Sequence, residues 1–110
     1  MSTTMMKNGM AATFMGPEVK GSTVSFSKDG ATRRLTLSDD FTVPAAPAPH
    51  WRVVDSMGQA TLLRRLVTMG DTFHKSLDVP ANVKDVATVQ IYCAYAEVVL
   101  GEAAFEKPMM

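Results

Sequence analysis

The side chains in this 110-residue chain best suited to chemistry are one cysteine, two histidines and an adjacent pair of aspartates: Cys93, His50, His74 and Asp39-Asp40. A cysteine does chemistry as the thiolate, which is the nucleophile, the electron donor and the metal ligand. An unperturbed thiol ionises near pH ~8.5, so a positive charge or a bound metal must favour the anion. The sequence neighbours Ile91, Tyr92, Ala94 and Tyr95 carry no charge. Help must therefore come through space, from His50, His74, Arg52 or Lys75. The plainer role is a small apolar side chain in the interior, the commonest fate of a free cysteine.

Two imidazoles on different strands could join Cys93 in a Cys/His set for copper, iron or haem. No local pair has ligand spacing, and two surface histidines are the simpler reading. Asp39-Asp40 suits acid–base work or Ca²⁺, yet Ser38-Asp39-Asp40 between two strands is ordinary turn chemistry. Nine methionines include Met1, Met5, Met6, Met10 and Met15 at the front and Met109-Met110 at the end. Thioethers bind soft Cu(I), but flexible termini and adaptable filler account for these positions.

Composition removes several classes. The formal net charge is zero, from 11 basic and 11 acidic side chains. Arg33-Arg34 and Arg64-Arg65 are isolated pairs, so phosphate neutralisation along a nucleic acid is not expected. Aromatic residues make up 7%, too few to suggest a base-stacking platform. A single cysteine excludes an internal disulfide and any two-cysteine metal motif. No apolar run approaches the roughly 20 residues of a membrane helix, and the front of the chain lacks a signal-peptide core. The compartment stays open. No phosphate loop, nucleophile elbow or zinc-protease helix occurs, which sets aside hydrolase and nucleotide chemistry.

The elements that must position these residues read as short strands. In "STVSFSKDGATRRLTL", Val24 and Phe26 face one way and Ser25 and Ser27 the other. Asp29-Gly30 turns the chain, and Leu35 and Leu37 resume the inward face. Asp39-Asp40 turns it again, returning Phe41 and Val43 inward. The prolines from Pro44 to Pro49 stiffen a crossing between sheets or along an edge. "HWRVVD" follows as a strand with Trp51 and Val53 on one side.

From Gln59 to about Thr68 the leucines allow a short helix. The favoured reading is a hairpin of Leu63–Thr68 and Thr72–Leu77. Val89–Leu100 reads as a central strand covered on both sides, with Val89, Ile91, Cys93 and Tyr95 on one face. Gly101 marks a bend or bulge before "EAAF". The expected fold is an all-β antiparallel sandwich of about 7–9 short strands, with one short helix as the alternative at 59–68. Residues 14–106 form the domain, between a flexible segment at 1–13 and a tail at 107–110.

The order of these features carries a resemblance. A glycine opens a strand at "VKGSTVSF", "KDG" turns it, and "RRLTLSDDF" follows. Then come "APHWRVVD", "MGDTFHKSLDVP" and "ATVQIYCAYAEVVLGEAAF". Over about Phe14 to Phe105 this resembles the DM-thirteen domain family, which ends in an apolar strand holding a cysteine, then an aromatic, a glycine and an alanine. The matching positions are Cys93, Tyr95, Gly101 and Ala103. Where the family tends to have Gly-Pro-Asp, this chain has Ala48-Pro49-His50. The resemblance implies a β-sandwich-like domain, usually extracytoplasmic, with a proposed electron-transfer role centred on the cysteine as a bare thiol or a prosthetic-group ligand.

Two functions therefore compete. One is a redox domain acting through Cys93 on a protein partner, with Tyr95 beside it and His50 or His74 completing a haem or copper site. The other is a non-catalytic interaction module whose cysteine is packing.

Overall fold

The computed structural model describes residues 10–66 and 75–110. Among them are eight strands and no helix: β1 (Ala11–Thr13), β2 (Thr23–Asp29), β3 (Thr32–Leu37), β4 (Pro49–Val54), β5 (Ala60–Arg65), β6 (Ser76–Asp78), β7 (Val86–Cys93) and β8 (Val98–Met109). They form two four-stranded antiparallel sheets, ordered β1-β2-β3-β6 and β5-β4-β7-β8. The expected all-β sandwich is the fold, and no helix of the described residues is long and apolar enough to cross a membrane.

Period-two alternation builds the core. Val24 pairs with Leu37 and Phe26 with Leu35, and all four are buried on one face of the first sheet. The turn falls one residue later than expected: Asp29 still pairs with Thr32, and Gly30 takes the positive φ of 61°. Opposite, Trp51, Val53, Val89, Ile91 and Cys93 close the interior. The proline segment does cross between sheets, since β3 and β4 lie in different ones. Just before that segment Phe41 meets Phe14 with ring centroids 5.9 Å apart, tilted at 56°.

Three expectations need correction. Ala60–Arg65 is extended rather than helical, and it does not form a hairpin with the strand that follows. β5 pairs with β4 and β6 with β3, so the two belong to different sheets. Val67 to His74, where the rest of that hairpin was expected, lie outside the described residues. Leu62 and Leu63 suited a helix by spacing, but as neighbours in a strand they separate, one exposed and one packed on the core.

The second correction concerns the central strand. β7 is covered on one side only: Val89, Ile91 and Cys93 are buried, while Gln90 and Tyr92 are half-buried on the other face. It also stops at Cys93, because Ala94–Glu97 turns the chain into β8. Tyr95 therefore leaves the cysteine face and stands 80% exposed at the tip of the turn. Third, the paired region runs past 14–106 at both ends, since Ala11 pairs with Ser25 and Met109 with Val86. Three residues in β1 are too few to reveal an alternation in sequence.

The bulge expected near Gly101 is present, with Ile91 opposite Gly101 and Tyr92 opposite Val99, leaving Leu100 extra. Its purpose is steric. The segment after β1 crosses β8 there: Met15 and Glu102 exchange backbone hydrogen bonds, and the amides of Glu18 and Val19 donate to the Leu100 carbonyl. A Cβ on Gly101 would lie 2.6 Å from Val19 Cβ, and one on Gly16 would lie 2.6 Å from Gly101 Cα. Two glycines thus let this edge of the sandwich close.

Candidate functional site

Cys93 ends β7 directly opposite Pro49, the first residue of β4. It is 1% exposed and faces the core. Its surroundings are set by the turn that follows. The Glu97 amide donates to the Cys93 carbonyl at 2.7 Å, and Glu97 itself takes the left-handed φ of 58° that redirects the chain into β8. Within that loop the Ala96 amide donates to Cys93 Sγ at 3.4 Å. The Ala94 amide is held by the Ala48 carbonyl at 3.0 Å, which ties the loop to the proline crossing.

These backbone dipoles act on the thiol. The N–H of Ala96 most strongly, with those of Ala48 and Tyr95, holds the Cys93 pKa below its ordinary value, and burial opposes them. Among the described residues, backbone amides rather than a cation favour the anion at the sulfur. A cysteine so placed does what a Ser or Asp does at such a position, accepting the N–H groups of the turn that follows it. Its burial keeps reagents away, since reactive cysteines are partly exposed.

His50 does not join it. His50 pairs with Tyr92 while Pro49 pairs with Cys93, so the imidazole and the sulfur stand on opposite faces of one sheet. The ring Nδ1 donates instead to the Ala48 carbonyl at 2.9 Å. His74 lies outside the described residues. Among the described residues no three His, Cys, Asp or Glu side chains gather as a metal site. Cys93 and His50 therefore do not fit haem or copper as joint ligands.

Asp39 and Asp40 also resolve into structure. Asp40 accepts from the Ser38 hydroxyl, while Asp39 pairs with Lys75, which holds its carboxyl below the usual range. The Ser38 hydroxyl in turn receives the Thr23 amide at 2.9 Å. Of the methionines, Met15 is 74% exposed beside the β8 crossing, and Met1, Met5 and Met6 lie outside the described residues.

One residue with a large structural role gave little signal in sequence. The Arg33 guanidinium donates to three carbonyls, those of Pro80, Val83 and Lys84 at 2.9, 2.6 and 3.1 Å, and so fixes the loop leading to β7. An exposed-looking arginine in an alternating strand does not announce a partner some fifty residues away.

The outer faces of the two sheets differ in kind. On the first, Ser25, Ser27, Asp29, Thr32, Arg34 and Ser76 make a small, polar, solvated surface. The second carries larger groups. Arg52 lies over the Tyr92 ring, 4.3 Å from its centroid. Leu62, 48% exposed, stands opposite Arg52, and half-buried Val99 stands opposite Tyr92. Gln90 Nε2 donates to Glu102 at 3.0 Å, while Gln90 Oε1 is shut off from solvent and has no partner among the described residues.

No protein-family model matches the chain, and no curated protein or solved structure does either.

Proposed function

We propose that this domain is a non-catalytic interaction module, presenting the outer face of β5-β4-β7-β8 to a protein partner, with Cys93 serving to pack and cap the β7–β8 turn. The observation that carries this reading is the contrast between the two outer faces. A face held only for solubility resembles that of the first sheet, with short hydroxyl side chains and scattered charge. The second combines a stacked Arg52–Tyr92 pair with Leu62 and Val99. Tyr and Arg are the residue types enriched where proteins meet, because each offers a broad apolar surface with a polar end. A photo-crosslinking side chain placed at Leu62, and in a separate variant at Ser25, tests the reading in the source cell. Adducts from Leu62 and none from Ser25 support it; equal yields, or none from Leu62, count against it.

A second reading keeps a specific support. Backbone N–H groups favour the Cys93 thiolate, as a redox role through this residue requires. The likeness of the terminal strand to the DM-thirteen family points the same way. Titration of the native protein with a thiol reagent across pH separates the two. Fast modification with a low apparent pKa supports redox work, and protection until unfolding supports packing.

A further inference from the structure

We infer that the partner of the second sheet's outer face is a second copy of this chain, an inference that rests on the interaction reading above. The reason is charge placement along one row. Across β5-β4-β7-β8 that row runs Leu62, Arg52, Gln90, Glu102, each directly paired with the next. Arg52 is one strand to one side of β7, and Glu102 is one strand to the other side. The face is therefore dipolar about β7, with a cation and an anion about 10 Å apart at the ~4.8 Å strand spacing.

A dipolar face of this kind is complementary to itself. Two copies packed face to face about a two-fold axis along β7 bring Arg52 of each opposite Glu102 of the other, with Gln90 meeting Gln90 on the axis. Two-fold contacts are isologous, so one favourable pair is formed twice. The same operation lays Val99 of β8, which flanks the row, within the shared interface, while Leu62 on the edge strand β5 falls at its margin. The three strands that overlap, β4, β7 and β8, with three outward rows cover roughly 300 Å² per copy at these spacings. That is below the ~800 Å² per partner of standard stable complexes, so the dimer is weak and dependent on concentration.

Sedimentation velocity on the full chain, from 1 μM to 1 mM, tests this. In low salt the dimer fraction rises with concentration, and 0.5 M salt drives it back towards monomer, because exposed pairs are screened. Arg52→Glu alone and Glu102→Arg alone each weaken association about tenfold or more, since each sets like charges opposite one another twice. An equimolar mixture of the two variants restores it, because both cross-pairs are then opposite in sign. This rescue shows that both variants are folded and that the loss came from charge. A chain that stays monomeric at 1 mM in low salt overturns the inference, as does association that ignores both reversals. Crosslinking from Leu62 to a different protein, with a monomeric chain, would leave the interaction reading standing and remove this one.

Discussion

His50 and Cys93 lie on adjoining strands one position out of register, and so on opposite faces of the same sheet. The imidazole stands outside and the sulfur inside, and no side-chain rotation brings them together through the sheet. Among the described residues, the polar groups that act on the sulfur are backbone: the amide of Ala96, with those of Ala48 and Tyr95.

Access, and not ionisation, should govern the reactivity of Cys93. Although the amides favour the thiolate, a residue 1% exposed meets reagents only when the β7–β8 turn opens. The native thiol is expected to react at least a hundredfold more slowly than the urea-unfolded chain, measured with an aromatic disulfide reagent. Comparable rates in the two states would show an accessible sulfur.

Replacing the sulfur should reveal its capping role. Cys93→Ala leaves the Ala96 amide without its acceptor and should cost about 1–2 kcal/mol. Cys93→Ser offers an oxygen to the same N–H and should cost less. Urea unfolding of the two variants decides the matter, and equal losses would mean that the hydrogen bond contributes nothing.

Gly101→Ala should be strongly destabilising for its size. The added methyl would overlap Val19 Cβ and its carbonyl at 2.6 and 2.7 Å, and a backbone contact cannot step aside as a flexible side chain can. A loss of about 1–3 kcal/mol or more is expected. Thermal unfolding would show it, and an unchanged midpoint would mean that the crossing segment is not seated on β8.

Arg33→Lys should fail to substitute for arginine. The planar guanidinium reaches three carbonyls at once, whereas an ammonium on a flexible stem is a single point of charge. Amide hydrogen exchange around residues 80–84 should quicken in the lysine variant. Unaltered protection there would assign the loop's order to other contacts.

Acid should weaken the fold partly through Asp85. Its carboxylate accepts the Ser56 hydroxyl at 2.7 Å and the Ser56 amide at 2.8 Å, and these hydrogen bonds lower its pKa. A depressed folded-state pKa gives stability that is present above the unfolded value near ~3.9 and is lost as pH falls through the folded one. Asp85→Asn should flatten the decline of stability below about pH 4. Parallel curves for the variant and the parent would rule out this contribution.

Much of the fold was legible because alternation is a local signal. Val24, Phe26, Leu35 and Leu37 announce one buried face, and Trp51 with Val53 another, without reference to anything distant. The Ser38–Asp40 turn and the bulge before Gly101 could be read for the same reason. Illegible were the features that depend on partners remote in sequence, such as Arg33 with residues 80–84 and the Met15–Val19 segment over Gly101.

The sequence by itself determined that short strands alternate, where most of them turn, and which side chains must face inward. Only the tertiary structure decided which strands pair. It sent β5 and β6 to different sheets, ended β7 at Cys93, and placed His50 behind the sheet that holds the sulfur. The physical reason is that a strand's periodicity fixes its own two faces, whereas pairing and register come from contacts closed over long loops.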